Sequence, residues 1–477
     1  MAIATTNPVT GEVLRRFDEL SPEELEDKLA RAAAAAASYR LTSVEERAGW
    51  LQHAADLLEK EVESVSKMIT VEMGKTIRAA EQEVVKCVRG LRFYAAEGPA
   101  FLRDLDGDGR RVGAKRTFVT YQPIGVVLAV MPWNLPLWQA MRFAAPALMA
   151  GNAGVLKHAS NVPQCALYLE ELFRGAGFPD DVFQTLLISS GRVERVLRDP
   201  RVAAATLTGS EPAGRSVAAI AGDEVKKVVL ELGGSDPFIV MPSTDLELAT
   251  DVAVRARCLN NGQSCINGKR FFVHQDIGDA FIEMFVAKMG ALVVGDPMDE
   301  GTDVGPLATE SGRREVESYV DDAVGKGATV LLGGERPDGP GWFYPPTVLT
   351  GVTPEMRMYH EEVFGPVAQV WTVSSLEDAL REANGHPYGL GANLWSEDEA
   401  ERELFIRDVQ SGMAFINGNT TSYPEIPFGG VKRSGYGREL SDLGMREFMN
   451  AKTVWIGQNE SPDGIRGERG PAPQKIV

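Results

Sequence analysis

The stretch "NNGQSCINGKRF" (260–271) sets one cysteine, Cys265, among glycines and polar residues that suit a tight turn better than a packed core. A thiol in such a place is either a small filler beside a loop or a nucleophile, and most free cysteines are buried and inert. Three other stretches carry groups that could complete a reaction centre. "LELGGSDPF" (230–238) ends an apolar run with Glu231 beside two glycines. A carboxylate desolvated there gains basicity and can serve as general base; the alternative is a solvated surface glutamate. "MPWNLPLWQAMRF" (131–143) puts Asn134 between a strand and a helix, as a turn former or as an amide donating to a developing oxyanion. "TLTGSEPAGRS" (206–216) runs from a strand through Gly209 and Ser210 into a helix containing Gly214. The free amides and positive end of that helix suit a pyrophosphate, with the Ser210 hydroxyl as a further donor, although such a turn often serves only as a cap.

Groups this far apart in the chain need rigid elements to bring them together. Ser43 and Glu46 form a capping-box pattern ahead of Leu51, Ala55, Leu58 and Val62 at helical spacing, which predicts a helix over 43–70. Helix-like segments continue to about Leu102, with "AAAAAA" (32–37) read as a helix-prone run. Strand-like and helical stretches then alternate: "IGVVLAVM", a helix over 137–150, "AGVLK", a helix over 163–175, "VFQTLLI", "VAAATLTG", a helix over 211–221, and "KKVVLELGG". The rhythm resumes from "PFIVM" to "VWTV" (370–373). Such alternation predicts an α/β protein with two parallel-sheet units. "DLDGDG" (104–109) imitates the start of a calcium loop, but Lys115 stands where the bidentate glutamate is needed, so it reads as an acidic turn.

The bulk numbers exclude several classes. With 477 residues, 44% hydrophobic and 24% charged, the chain has material for a sizeable core and more than one domain. A net charge of -18 opposes nucleic acid and anionic membranes as partners. Cys87, Cys165, Cys258 and Cys265 show no metal-site spacing and are too few for a disulfide scaffold, so no metal and a reducing, cytoplasmic compartment are expected. The N-terminus has no apolar signal-type run, and "IGVVLAVMPWNLPL" (124–137) is too short to span a bilayer. The end of the chain, 459–477, is expected to be a flexible tail.

Together these stretches resemble the aldehyde dehydrogenase superfamily. Glu231 followed 34 residues later by "GQSC", the "PWN" of 132–134, "EEVFGPV" (361–367) and "PFGGVKRSGYGREL" (427–440) carry the likeness, which runs from "NPVTGE" (7–12) to "KTVWI" (452–456). The resemblance implies two Rossmann-type domains and a small β oligomerisation flap. Residues 1–104 and 124–232 would bind nucleotide, 233–445 would carry catalysis, and 105–123 with 446–458 would form the flap. It further implies that Cys265 attacks the aldehyde, Asn134 holds the oxyanion, Glu231 activates water and Lys157 supports the site. Pro132, Trp133, Lys157, Ser160, Gly209, Ser210, Gly214, Leu232, Gly233, Glu362 and Phe364 would line the cofactor site. Homodimers or homotetramers are implied as well.

Within the superfamily the closest likeness is to the bacterial succinate-semialdehyde dehydrogenase branch. Many NAD-using members have a glutamate three residues after the lysine; Ser160 stands there instead. A hydroxyl tolerates a 2′-phosphate where a carboxylate repels it, so NADP is expected over NAD. Arg142, eight residues after Asn134, is expected to receive a distal carboxylate, with Trp138, Ser422 and Phe428 around it. Some relatives carry a second arginine six residues before the nucleophile, where this chain has Leu259; Arg257 is two residues further back. That departure leaves a more apolar aldehyde open. A coenzyme A-acylating enzyme, which would lack Glu231, and a non-catalytic structural protein are the remaining alternatives.

Overall fold

Val126–Met131, a run of β-branched and small apolar residues, forms the middle of a six-stranded sheet. The computed structural model describes residues 2–457, so the tail expected over 459–477 lies outside the described residues. On one side of Val126–Met131 lie Ala153–His158 and Phe183–Thr185; on the other lie Val202–Thr208 and Lys227–Glu231, all parallel. The chain therefore builds outward in one direction and then starts again on the other side of its first strand. The connecting helices leave on opposite faces at that reversal, which opens a crevice at the carboxyl ends of the strands. "PWN", "TGS" and "LELGG" all sit at those ends.

Gly435–Tyr436 closes the edge of this sheet antiparallel, with Gly435 opposite Glu231. It belongs by sequence to the segment expected in the second unit, but a two-residue strand has no pattern to announce its partner.

The second sheet has seven strands: Thr329–Leu332, Thr347–Thr350, Val367–Val373, Gly268–His274, Asp236–Val240, Gly391–Trp395 and Met413–Ile416. Only the first pair is antiparallel. Four residues, 232–235, lead from the carboxyl end of Lys227–Glu231 to the amino end of Asp236–Val240. The carboxyl edge of the first sheet is thus brought to the amino edge of the second, where Cys265 precedes Gly268–His274. A third sheet joins Leu105–Gly107, Arg116–Pro123 and Met449–Ile456, antiparallel throughout.

The helix expected over 43–70 is two helices, Val44–Lys60 and Val62–Met73, broken at Glu61. Ser43 and Glu46 form both bonds of the capping box. The break lets Val65 and Ile69 reach the same core as Leu51 and Leu58.

The helix Trp138–Met149 is buried at every position, as its all-round apolar sequence requires. It packs on the long helix Ile77–Phe101, where Gly90 makes room for the Trp138 ring: a β-carbon there would lie 3.0 Å from the indole. Glu83 of the long helix accepts the N–H groups of Leu137 at 2.8 Å and Trp138 at 2.9 Å, and Lys75 holds Glu83 at 2.5 Å. A buried ion pair thereby caps the helix that follows Asn134.

Candidate active site

Cys265 emerges from a turn whose sequence dictates its shape. Asn260 and Asn261 adopt left-handed backbone angles, φ 58 and 55, which asparagine tolerates better than most residues. Gly262 follows at φ 74, and a β-carbon there would come within 2.4 Å of the Gly365 backbone, so only glycine fits. Three left-handed residues in succession reverse the chain and lift the cysteine toward the first sheet. Arg257, fully buried, braces the turn by donating to the carbonyls of Gly262 at 2.6 Å and Gly268 at 3.2 Å. It faces the loop and leaves Leu259 44% exposed at the end of its helix.

Asn134 is tied to the same turn. Its Nδ2 donates to the Gln263 carbonyl at 3.0 Å, and its own carbonyl accepts from Asn260 Nδ2 at 2.8 Å. One amide N–H is used in this way; the second is free for a ligand. His158 steadies the approach to Asn134. Its Nε2 donates to the Pro136 carbonyl at 2.8 Å while Nδ1 accepts from the Ala159 N–H, which defines a neutral ring, and burial pushes its pKa down to about 4.

Between the two sheets runs a cleft of about 660 Å³ that reaches Cys265. Pro132, Trp133 and Asn134 form one wall, Gly209 and Ser210 the next, and Leu232, Gly233, Glu362 and Phe364 the far side. Ser210 stands at the N-cap position of the helix Glu211–Asp223 but makes no side-chain cap, so its hydroxyl is left for a ligand. The Thr208 hydroxyl in the same lining has no protein partner. At Gly233 a β-carbon would lie 2.6 Å from Glu362 Oε2, closing the passage. The Trp133 and Phe364 rings meet edge to face at 5.7 Å. These features fit an extended dinucleotide.

Lys269 was not foreseen from the sequence. Fully buried, it donates to the carbonyls of Ser264 at 2.9 Å and Cys265 at 2.8 Å, and its ammonium lies 3.0 Å from Glu362. Glu362 also accepts the Gly234 N–H at 3.2 Å. One lysine thus couples the nucleophile turn to the cleft wall. A charged residue inside the apolar strand "GKRFFV" was the signal available for it.

Several nominated residues lie elsewhere. Gly214 does not line the cleft; a β-carbon there would meet Leu232 at 2.5 Å, so it serves helix-to-strand packing. Lys157 and Ser160 are also off the lining. Lys157 is buried near the end of its strand, where desolvation lowers its pKa, and the Ser160 carbonyl accepts from Ala4. Glu231, 2% exposed and without a hydrogen-bond partner, turns its carboxyl toward Gly429. Burial, then the charge of Glu439, raise its pKa well above the ordinary range.

Arg142 lies inside the protein. It is 3% exposed, its Nε lies 2.8 Å from Glu439, and its guanidinium rests 4.4 Å from the centre of the Phe428 ring. Glu439 faces its charge, while its Nη2 has no hydrogen-bond partner. Phe428 and Glu439 are bridged to each other through reciprocal backbone bonds of 2.8 Å. Glu439 lies nearly 300 positions along the chain from Arg142, a separation at which spacing carries no information. Trp138 and Phe428 are likewise buried rather than open to solvent.

Burial pushes the Cys265 thiol up to about 12, partly opposed by Arg142 and Lys269. The other cysteines are buried, and Cys258 points its sulfur at Met289, 3.5 Å away in the core of the second sheet. Iodoacetamide should therefore modify one cysteine per native chain, Cys265. Because the thiolate is the reactive form and its pKa is raised, the rate should climb about tenfold per pH unit between pH 7 and 9. A stopped time course followed by peptide mass mapping would check both points; a plateau in that range would mean the thiol ionises near neutrality.

The family model for aldehyde dehydrogenases matches residues 1–454. The chain belongs to the aldehyde dehydrogenase family. This family member is 60% identical over 470 residues to a succinate-semialdehyde dehydrogenase (NADP(+)) of Mycolicibacterium paratuberculosis, covering 98% of this chain and all of the relative. It is also 60% identical over 456 residues to succinate-semialdehyde dehydrogenase (NADP(+)) 1 of Mycobacterium tuberculosis, covering 96% of this chain and all of that one. Among solved structures, the succinic semialdehyde dehydrogenase of Streptococcus pyogenes in complex with NADP+ superposes with a TM-score of 0.93 at 38% identity, over 96% of this chain and 100% of that one. The α/β architecture of this aldehyde dehydrogenase is thus that of its relatives. Among its described residues no helix is long and apolar enough to cross a membrane.

Proposed function

We propose that this aldehyde dehydrogenase oxidises succinate semialdehyde to succinate with NADP. The observation that carries the reading is that Cys265, Asn134 and the Gly209–Ser210 turn share one cleft. The substrate and cofactor are argued from full-length relatives at 60% identity.

In this reading the Cys265 thiolate attacks the aldehyde carbon. The oxyanion is received by Asn134 Nδ2 and by the Cys265 N–H, both set by the rigid turn. A nicotinamide dinucleotide held in the cleft would supply the hydride acceptor, and Cys265 would keep the acyl group on its sulfur as a thioester. Glu231 takes a proton from water as the water attacks that thioester; the carbon–sulfur bond breaks, Cys265 leaves as the thiolate, succinate departs and Glu231 releases its proton to solvent. Burial, then Glu439, raise the pKa of Glu231 and make it a stronger base than an ordinary carboxylate. Ser210 and the amino end of its helix would hold phosphate. Glu362, oriented by Lys269, would hold the ribose near the reacting centre.

Lys157 and Ser160 would serve the adenosine end, where the absence of a carboxylate at 160 admits a 2′-phosphate. Ser160→Glu should lower the NADP-to-NAD ratio of kcat/KM by about 100-fold, because like charges in close contact cost several kcal/mol. Steady-state kinetics with both cofactors would measure it, and an unchanged ratio would remove position 160 from cofactor choice.

The competing substrate, an apolar aldehyde, has an observation in its favour: Leu259 stands at one expected arginine position and Glu439 pairs with the other arginine. Reduced-nicotinamide formation from succinate semialdehyde and from butanal, each with NADP and NAD, decides between them. Equal kcat/KM for the two aldehydes would sink the semialdehyde reading. We further propose a cytoplasmic homodimer or homotetramer. Met449–Ile456 is an edge strand with Trp455 55% exposed, a surface suited to a second subunit.

A further inference from the structure

Ser264 and Cys265 present four main-chain polar groups, and three of them are held within the protein. The Ser264 N–H donates to Asn267 Oδ1 at 2.7 Å. The Ser264 carbonyl accepts from Lys269 Nζ at 2.9 Å and from the Asn267 N–H at 3.2 Å. The Cys265 carbonyl accepts from the same ammonium at 2.8 Å and packs on Gly234, where a β-carbon would come within 2.5 Å of it. The fourth group, the Cys265 N–H, has no partner among the described residues.

A peptide unit is planar and trans, so its N–H and C=O point in opposite directions. Holding the Ser264 carbonyl on Lys269 therefore fixes the direction of the Cys265 N–H, which belongs to the same unit. The bond also acts through the amide. A donor on the oxygen draws electron density from the nitrogen and makes its N–H a stronger donor, and a charged donor does this more than a neutral one. Lys269 is fully buried at the start of the apolar strand Gly268–His274, where an ammonium is costly to place. Glu362, 3.0 Å away, balances its charge. A neutral donor would be enough to satisfy two carbonyls, so packing alone does not account for a cation here.

Resting on the reading that Asn134 and the Cys265 N–H receive the oxyanion, we propose that Lys269 is a positioning residue for that oxyanion site. It aims the Ser264–Cys265 peptide and strengthens its N–H as a donor. The bond to Glu362 is a second, separate duty.

The probe is ethyl trifluoromethyl ketone, added to the full chain without cofactor so that any contact of Glu362 with a ribose plays no part. The Cys265 thiolate adds to the ketone carbon; the carbon–sulfur bond forms as the carbonyl electron pair moves to oxygen, and no group leaves. The fluorine NMR shift of the adduct follows protonation of that oxygen, and its midpoint pH reports how well the protein holds the oxyanion. Lys269→Met should raise the midpoint by about one pH unit, a tenfold loss, against about two for Asn134→Ala, which removes a donor outright. Lys269 also opposes the burial that raises the Cys265 thiol, so an effect of bare charge must be separated from donation to the carbonyl. A double variant, Lys269→Met with Glu362→Gln, removes one charge of each sign and still leaves the Ser264 carbonyl without its ammonium. The rise should persist in it. Arg142 and Glu231, which also act on Cys265, are the same throughout.

Thermal melting and iodoacetamide mapping of Cys265 check the fold of each variant. Where Lys269→Met alone is unfolded, the double variant decides. A folded double variant with the wild-type midpoint overturns the proposal. Unfolding of both Lys269 variants assigns the lysine to the fold and overturns it too. A midpoint moved by Asn134→Ala but by neither Lys269 variant removes the role of Lys269 alone. A midpoint moved by no variant, or a ketone that does not add to Cys265, overturns the oxyanion reading and the proposal with it.

Discussion

Cys265→Ser should lower kcat by at least about 10³-fold with every aldehyde, because a serine hydroxyl without a strong base is a far weaker nucleophile than a thiolate. The substitution is nearly isosteric, and the turn that carries it is held from outside the side chain. Lys269 binds the Cys265 carbonyl, Asn267 accepts the Ser264 N–H at 2.7 Å, and Arg257 braces both ends. The melting temperature should consequently stay within a few degrees of wild type. Steady-state turnover measured beside melting separates the two effects. A folded serine variant that retains a tenth or more of the activity would exclude Cys265 as the nucleophile, leaving the remaining cysteines as poor substitutes because all are buried away from the cleft.

The second large effect belongs to Glu231→Gln. General-base catalysis contributes about 10²–10⁴-fold, so steady-state kcat should fall into that range. The loss should be confined to the second half of the reaction. Hydride leaves before water is needed, so a rapid burst of reduced cofactor, close to one equivalent per site, should survive and be followed by slow turnover. The burst distinguishes this role from another the geometry permits. Glu231 and Cys265 act on each other electrostatically, and a carboxylate that drew the proton from the thiol would be needed for the first half as well. Loss of the burst in Glu231→Gln would assign it that earlier duty. In wild type, the base form grows as pH rises through the elevated pKa of Glu231, so the slow phase should quicken with pH over that interval.

Both predictions concern residues that were legible in the sequence, and the reason is local. Cys265 follows "NNGQS", where the left-handed angles of Asn260, Asn261 and Gly262 are written into residue types that accept them. Asn134 and the Gly209–Ser210 turn stand at the carboxyl ends of apolar strands, and a parallel α/β sheet opens its crevice there whatever else the chain does. Alternation of strand and helix likewise announced the two large sheets, since period and composition act over a few residues.

What only the tertiary structure decided are the pairings between distant segments. Arg142 has the right chemistry for a carboxylate anchor, but Glu439 lies beside it because Gly435–Tyr436 folds back onto Lys227–Glu231. Glu231 acquires its raised pKa from burial and then from Glu439, which is distant in the chain. Lys269 meets Glu362 because neighbouring strands of the second sheet, Gly268–His274 and Val367–Val373, lie in register. Lys86 reaches Ser422 across more than 300 residues of chain. The charge state of each of these groups depends on its neighbours in space, and packing of whole sheets and helices selects those neighbours.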